Sequence, residues 1–223
     1  MALRILRFLA KFVVVFVVFS VALTLLLRFV PVTWTATMLM DERSVTRDWE
    51  PLSSIDRNMV SAVIAAEDGK FCSHDGFDRK AIEQALEERA SGERQRGAST
   101  ISQQTAKNVF LWQGGGWFRK GLEAYFTFLI ENLWDKRRIM EVYLNVAETG
   151  LGTYGVEAGS QRYFGHSAAR LTQDEASRIA AVLPSPKTRE AVNPGGFTRR
   201  YGNTIERRIG QVRRDGLDEC VYD

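Results

Sequence analysis

The sequence is poor in the residues that build metal centres and disulfide frameworks. Its 223 residues include two cysteines, two histidines and five prolines. Cys72 and Cys220 lie too far apart in sequence to predict a disulfide, and their spacing matches no zinc or haem motif. We interpret both as structural residues, whether free or paired.

Acidic residues are absent from the first 40 positions, which contain Arg4, Arg7, Lys11 and Arg28. The remaining residues carry 26 basic and 27 acidic side chains, so the body of the protein is nearly neutral. Binding to a nucleic-acid backbone requires a concentrated basic surface. A nucleic-acid partner is therefore not expected.

Charge is also absent between Lys11 and Arg28, where the sequence reads FVVVFVVFSVALTLLL. With its apolar flanks the segment reaches the roughly 20 residues that a bilayer requires. The alternatives are a buried core helix and a cleaved signal peptide, for which TWTAT is a weak cleavage site. The length and flanks favour an uncleaved single-pass anchor.

The positive-inside bias predicts a cytoplasmic N-terminus and places the rest of the chain outside the membrane, in the periplasm if the cell has one. We expect residues 1–35 to form the cytoplasmic tip and anchor. Residues 36–223 would form one outer domain, to whose core the anchor adds nothing. Within that domain, residues 36 to 52 read as a short connection.

Apolar residues recur with helical spacing along the body, whereas strand-like alternation is scarce. This pattern predicts a mainly α domain. The first predicted helix runs from 55 to 67, with Ser53 and Asp56 as a capping pair. The second is capped by Asp78, ends near Ser91-Gly92 and directs Ile82, Ala85 and Leu86 inward, and the third begins at Thr100 with Ser99 as its cap. Apolar stripes predict two further helices over 122–133 and 139–146, and the last covers 171–183 with Thr172 as cap and Pro184 as stop.

One predicted helix has a face of hydrogen-bond donors. In GASTISQQTAKN, Thr100, Gln104 and Lys107 share a face, with Gln103 and Asn108 at its flanks. The face carries one cation and no acid, which suits a phosphate or a sugar. An ordinary solvated surface has the same periodicity.

An apolar loop follows this helix in VFLWQGGGWF, residues 109–118. Tryptophan and phenylalanine around three glycines suit a segment that dips into a membrane, although a loop packed on the core has the same composition. Arg119 and Lys120 follow directly, and Glu123 lies one turn further on.

Two adjacent acids, Glu67 and Asp68, stand at the end of the first body helix, where the helix dipole disfavours negative charge. Glu67 follows Val63 by four residues and therefore points close to the buried face. Burial at this point would raise the pKa of Glu67.

Four segments in order resemble the motifs of the peptidoglycan glycosyltransferases of glycosyltransferase family 51, in the monofunctional biosynthetic class. They are EDGKFCSHDGFD, GASTISQQTAKN, RKGLE and KRRIMEVYLNVAETGLGTYGVEAGSQRYFG, within roughly residues 50 to 190. The resemblance implies a lysozyme-like helical fold and the polymerisation of lipid II into glycan strands. The sequence contains no S-x-x-K motif, so transpeptidase activity is not expected.

The resemblance also assigns roles. Glu67 would be the general base, and Glu123 the second catalytic glutamate. Lys107, Arg119 and Lys120 would neutralise the pyrophosphate leaving group. Candidates for sugar and phosphate contacts are Thr100, Gln104, Asn108, Tyr143 and Asn145, of which the last two can equally be core and cap residues. Motif-supporting roles fall to Asp68, Phe71, His74 and Gly76.

Glu123 next to a pyrophosphate would either hold the neighbouring cations in place or share a Mg²⁺ or Mn²⁺ ion with the phosphates. The sequence requires no cofactor, and a hydrogen bond within the motif is a better role for His74 than metal binding.

One departure from the family stands near Gly115, where members often carry an arginine. An arginine introduced there would be expected to supply part of the missing charge, unless position 115 requires a positive φ, at which an arginine would strain the loop.

Two rival functions share these features. A lytic, lysozyme-like enzyme would use a catalytic glutamate on the same glycan, and a non-catalytic membrane scaffold would need none of the carboxylates. The expected partners are lipid II, the growing glycan and membrane lipid. Other cell-wall synthesis or division proteins are further candidates that the sequence does not identify.

Overall fold

An N-terminal apolar helix and a mainly helical body make up the protein, as seen in a computed structural model that describes residues 1–91 and 97–222. The α-helices in chain order are α1 (Ala2–Leu27), α2 (Ala36–Leu39), α3 (Arg57–Glu67), α4 (Arg79–Ser91), α5 (Ile101–Phe110), α6 (Gly116–Leu133), α7 (Lys136–Val146), α8 (Val156–Phe164), α9 (Gln173–Val182), α10 (Gly196–Arg214) and α11 (Glu219–Tyr222).

Aspartate side chains fix where α3 and α4 begin. Asp56 Oδ1 accepts a hydrogen bond of 2.8 Å from Asn58 N and caps α3 by itself. Ser53 does not share this role, because it lies in the preceding 3₁₀ turn. Asp78 Oδ1 accepts from Ala81 N at 3.1 Å, which confirms the predicted start of α4.

Helix α4 lies on the surface and buries only a narrow stripe. Ala85 is buried and Ile82 is half-buried, but Leu86 is 61% exposed. The inward orientation predicted for Leu86 is therefore wrong. The described helix ends at Ser91, and Gly92, also named in the prediction of its end, lies outside the described residues.

Capping boxes define the starts of α5 and α9. Thr100 Oγ1 accepts from Gln103 N, and Gln103 Oε1 accepts from Thr100 N at 3.0 Å. Thr100 is thus the cap of α5, and Ser99, the predicted cap, lies one residue too early. Thr172 with Glu175 forms the same arrangement for α9, as predicted. Each box satisfies backbone donors that a helix start leaves unpaired.

The core lies between α3, α5, α7 and α9, whose inward side chains are fully buried. Helix α5 packs against α6 and α7, while α3 and α9 pack against each other and against α10. Helix α10 is not predicted from the sequence. Its buried stripe consists only of Gly202, Ile205, Ile209 and Val212, set between arginines.

A small sheet accompanies the helices. Strand β1 (Thr46–Arg47) runs parallel to β3 (Thr153–Tyr154), which pairs antiparallel with β2 (Glu148–Gly150). The segment predicted as a plain connection therefore contains α2 and β1. Strand β2 follows α7 almost directly, and its pairing with β3 fixes the position of Glu148.

Helix α1 is long enough to cross a membrane, since 26 residues span about 39 Å. Its second half packs against α6. Ser20 Oγ lies 2.6 Å from Tyr125 Oη, and Trp134 Nε1 donates to Thr24 O at 2.8 Å. Ser20 and Thr24 are buried by these contacts. The expectation that the anchor adds nothing to the core of the outer domain is therefore wrong.

The two cysteines form a disulfide that joins Cys72 to Cys220, 148 residues further along the chain. The bond holds α11 against the turn that follows Glu67. Buried Asp218 supports the same junction, because it accepts hydrogen bonds from Arg57 at 2.8 and 3.0 Å. The C-terminal segment is thus held to α3 by an ion pair and to the turn after α3 by a covalent bond.

Candidate active site

Glu67 is the last residue of α3 and lies beside the start of α5. Its Oε2 accepts a hydrogen bond of 2.8 Å from Gln104 Nε2. Its Oε1 is buried and has no hydrogen-bond partner among residues 1–91 and 97–222. Burial raises the pKa of Glu67, as expected from its place in the helix, while the bond from Gln104 acts in the opposite direction.

Asp68 connects the first motif to α5, which explains an acid at this helix end. Its carboxylate accepts hydrogen bonds of 3.0 Å from Ile101 N, at the favourable start of α5, and from His74 Nε2. His74 Nδ1 accepts from Gly76 N at 3.1 Å, so the ring carries its proton on Nε2. The predicted hydrogen bond of His74 within the motif is confirmed.

Gly76 and Phe71 shape the turn around these residues. Gly76 has a φ of +87°, and a Cβ at this position would lie 2.8 Å from Thr127 Cγ2. Its carbonyl oxygen accepts a hydrogen bond of 2.7 Å from Thr100 Oγ1. Phe71 is fully buried, with the Lys136 ammonium group 4.7 Å from its ring centroid. These contacts fix the chain that follows Glu67.

The polar face of α5 links the two glutamates. Gln104 holds Glu67, and its Oε1 lies 3.4 Å from Tyr143 Oη on α7. Lys107, one turn further, interacts electrostatically with both Glu67 and Glu123. Burial lowers the pKa of Lys107, and its attraction to Glu123 opposes this change.

Glu123 on α6 is the centre of a cation cluster. Its side chain is 3% exposed, Oε2 accepts from Arg119 Nη1 at 2.9 Å, and Oε1 accepts from Lys120 Nζ. The Arg119 guanidinium group also donates to Gly114 O in the preceding loop. A buried carboxylate that holds two cations leaves a net positive charge at the surface of α6.

A cleft of about 410 Å³ adjoins these residues. Gln104, Lys107, Asn108 and Tyr143 form one side, and Glu148 and the segment 183–188 form the other. Glu67 does not line the cleft itself, but Gln104, which does, donates a hydrogen bond to its carboxylate. The cleft therefore presents amide, ammonium and hydroxyl donors next to this carboxylate.

Comparison with known proteins identifies this arrangement. A family model described as Transglycosylase matches residues 35–209. The chain belongs to the transglycosylase family. It is 50% identical over 204 residues to a biosynthetic peptidoglycan transglycosylase of Caulobacter vibrioides, covering 90% of this chain and 89% of the relative. Relatives of the same name in Rhodospirillum centenum and Pseudomonas aeruginosa are 46% identical, covering 99% and 94% of this chain and 97% and 94% of their own lengths.

Family membership confirms the mainly α, lysozyme-like fold implied by the motifs. Four predicted contact residues of this transglycosylase nevertheless do not line the cleft, namely Thr100, Arg119, Lys120 and Asn145. Arg119 and Lys120 are held by Glu123 on α6. Thr100 is 3% exposed, and its hydroxyl caps α5 and donates a hydrogen bond to the carbonyl oxygen of Gly76. Asn145 is buried, and its amide accepts from Glu50 N and donates to Glu50 O, each at 2.8 Å. Both side chains stabilise the fold.

The transglycosylase site includes residues that the sequence did not reveal. Lys187 and Glu148 line the cleft. Arg189 lowers the pKa of Glu67, although burial has the larger and opposite effect. Tyr201 on α10 donates to Ala66 O at 2.7 Å. Glu148 lies within the fourth motif, and Lys187 and Arg189 are the two cations that follow the prolines after α9. Tyr201 had no such signal, because α10 itself was not predicted.

The apolar segment before Arg119 divides into two parts. Trp112 is half-buried against the core, whereas Trp117 and Phe118, in the first turn of α6, are 84% and 73% exposed. Gly115 has a φ of +88°, and a Cβ there would lie 2.9 Å from Arg119 Cβ. Position 115 therefore has the positive φ at which an arginine strains the loop, so Gly115→Arg is not expected to supply the missing charge.

Proposed function

We propose that this transglycosylase polymerises lipid II into peptidoglycan strands, by inverting transfer of the lipid-pyrophosphate-linked chain to the 4-hydroxyl of the acceptor GlcNAc. The observation that carries the proposal is the carboxylate of half-buried Glu67, whose Oε1 is buried and has no hydrogen-bond partner among the described residues, and which Gln104 holds beside a donor-lined cleft. The names of the relatives support the same activity.

Glu67 would act as the general base. The acceptor hydroxyl would provide the partner that Oε1 lacks within the described residues. As the hydroxyl oxygen attacks the anomeric carbon, its proton passes to Glu67 and the bond from that carbon to the phosphate oxygen breaks. The pyrophosphate leaves with the bonding electrons. A pKa raised toward neutrality makes Glu67 a more effective proton acceptor at the working pH.

Lys107, Arg119 and Lys120 would neutralise the leaving pyrophosphate. Glu123 fixes Arg119 and Lys120 in place, so their charge is available without reorganisation during the reaction. Because Arg119 also reaches back to Gly114 O, it occupies the region of the loop arginine that this chain lacks. We infer that Arg119 compensates for the glycine at position 115. Gln104, Asn108 and Tyr143 would contact sugar or phosphate groups.

A resident divalent cation fits these residues poorly. Both oxygens of Glu123 already accept hydrogen bonds from cations. In the part of the chain that the structure describes, no group of three or more His, Cys, Asp and Glu side chains is placed to hold a metal ion. We therefore assign neutralisation of the pyrophosphate charge to Lys107, Arg119 and Lys120.

We further propose that α1 anchors the enzyme in the bacterial inner membrane, with residues 1–35 as tip and anchor and residues 36–223 as the periplasmic catalytic domain. The basic N-terminus supports this orientation. The contacts of Ser20 and Thr24 with α6 support a retained anchor over a cleaved signal. The exposed Trp117 and Phe118 support contact with the membrane surface.

The decisive experiment incubates the detergent-solubilised full chain with lipid II and, separately, with preformed glycan. Long strands from lipid II would support the proposal. Shortening of the preformed glycan would indicate a lytic enzyme, and no change in either substrate would indicate a scaffold. Repetition with EDTA tests the cation assignment, because loss of activity that Mg²⁺ or Mn²⁺ restores would contradict it.

A further inference from the structure

Helix α10 carries the most concentrated positive charge of the body. Its 19 residues include six arginines and one acid, Glu206, although the chain beyond residue 40 is nearly neutral. Arg200, Arg207 and Arg214 recur every seven residues and are exposed, so they form one stripe along the helix. At 1.5 Å per residue, successive arginines of this α10 stripe are about 10.5 Å apart along the axis.

Within the part of the chain that the structure describes, the α10 stripe has no ion-pair partner. Within residues 1–91 and 97–222, none of the six guanidinium groups of α10 forms an ion pair with a carboxylate. Arginines elsewhere in the fold, such as Arg57 and Arg119, do form such pairs. Arg213 alone turns inward, where it donates to Asn58 and Ser61. Arg207 donates only a hydrogen bond of 3.3 Å to the neutral Thr204 hydroxyl, so the positive charge of the stripe is not neutralised by a described carboxylate and is available to a ligand.

The same helix borders the candidate active site. Tyr201, next to the first arginine of the stripe, is bonded to Ala66 O, one residue before Glu67. Helix α10 packs on α3 and α9, whereas α1 packs on α6, which also carries the exposed Trp117 and Phe118. The stripe lies on the solvent-facing side of α10, opposite the buried Gly202, Ile205 and Ile209, and its first arginine adjoins Tyr201, whose hydroxyl reaches the end of α3.

We propose that the α10 stripe binds the ionised carboxylates of the stem peptides on the growing strand as it leaves the cleft. This inference rests on the polymerase function proposed above. The sugar backbone of the strand is neutral, whereas each peptide-bearing repeat carries carboxylates. The spacing of the arginines is comparable to the length of one disaccharide, so successive repeats would meet successive cations.

Several weak contacts of this kind retain a polymer between reaction cycles, because release requires all of them to break together. Exposed ion pairs are individually weak. Their loss would shorten the product without slowing the first coupling, which takes place at Glu67. This separation of strand length from initial rate distinguishes the stripe from the catalytic residues.

The test compares the full chain with the triple variant Arg200→Gln, Arg207→Gln, Arg214→Gln on lipid II with free stem carboxylates. We expect the average strand to shorten about three- to tenfold, with the rate of the first coupling unchanged within about twofold. Lysine at the three positions should preserve strand length, since it retains the charge. The matched control replaces three exposed cations on other elements with glutamine, Arg79, Lys80 and Arg170.

On lipid II whose stem carboxylates are converted to amides, the wild-type chain should make strands as short as those that the triple glutamine variant makes on unmodified lipid II. On the amidated substrate, the triple glutamine variant and the wild-type chain should make strands of equal length. Wild-type strand lengths from the triple glutamine variant would overturn the inference. Unchanged strand length with lost binding to phosphatidylglycerol vesicles would also overturn it and assign the stripe to the membrane. Absence of any polymer from the wild-type chain would instead contradict the proposed function.

Discussion

Gln104 Nε2 donates a hydrogen bond of 2.8 Å to Glu67 Oε2, and this contact joins the middle of α5 to the end of α3. The amide oxygen of Gln104 faces Tyr143 Oη at 3.4 Å, which orients its NH₂ group toward the carboxylate. One oxygen of Glu67 is thereby held, while the other has no partner in the described chain. The pair defines both the position and the basicity of the proposed base.

Replacement of Glu67 by glutamine should abolish most of the turnover. The amide keeps the size of the side chain but cannot accept the proton of the acceptor hydroxyl, and general base catalysis typically contributes 10²–10⁴-fold. We expect kcat to fall by at least about 10²-fold, with lipid II binding largely retained. Glu83→Gln, at an exposed position of α4, is the control. Polymerisation by the Glu67 variant at a near wild-type rate would show that the base is elsewhere.

Removal of the Gln104 side-chain amide should change the pH dependence. The hydrogen bond stabilises the ionised form of Glu67, so the Gln104→Met variant should have a higher Glu67 pKa. Since the base must be ionised, the acidic limb of the profile of kcat/KM should move to higher pH, by up to about one pH unit. Activity should recover on the alkaline side. An acidic limb that stays in place or moves lower would contradict the assignment.

Arg119→Ala should weaken the donor site. A hydrogen bond to a charged group is worth about 1.5–3 kcal/mol, so the affinity for a lipid pyrophosphate analogue should fall about 10- to 100-fold. Arg119→Lys should lose less, because it keeps the charge. Adding Gly115→Arg to the alanine variant should not restore binding, since the positive φ and the close Cβ of residue 119 strain the loop. Wild-type affinity of Arg119→Ala would place the pyrophosphate near Lys107.

Reduction of the disulfide between Cys72 and Cys220 should lower thermal stability. A crosslink across 148 residues restricts the unfolded chain and typically contributes about 2–4 kcal/mol. For a chain of this size we expect the Tm to fall by roughly 5–15 °C in calorimetry with dithiothreitol. The double variant Cys72→Ser, Cys220→Ser should show the same lower Tm without reductant. Equal Tm values for the oxidised and reduced wild type would contradict this prediction.

The first turn of α6 should contribute to membrane binding. Trp117 and Phe118 are largely exposed, and tryptophan favours the membrane interface. In a chain beginning near Thr35, in which loss of α1 also uncovers Tyr125 and Trp134, replacement of both by serine should reduce binding to liposomes at least several-fold relative to the same truncated chain without these changes, because interfacial affinity scales with the apolar area buried. Trp112→Ser should instead reduce stability, because this side chain packs on the core. Unchanged liposome binding by the double variant would exclude this surface.

Much of the fold follows from local sequence signals. The periodicity of α3, α7 and α9 and the caps Asp56, Asp78 and Thr172 identify helices whose start residues satisfy their own backbone donors. The family motifs place Glu67, Gln104, Lys107 and Glu123 in one site, although three helices contribute them. Helix α10 was not predicted, because its apolar stripe is narrow and interrupted by arginines.

The sequence by itself determined the helical class, the apolar anchor and the positions of the catalytic motifs, because each depends on residues within a few turns of one another. In contrast, the pairing of Cys72 with Cys220, the contacts of Asn145 with Glu50, and the proximity of Arg189 and Tyr201 to Glu67 became evident from the three-dimensional fold. Such contacts join residues that lie far apart along the chain. They arise from how helices pack against one another, which local spacing does not specify.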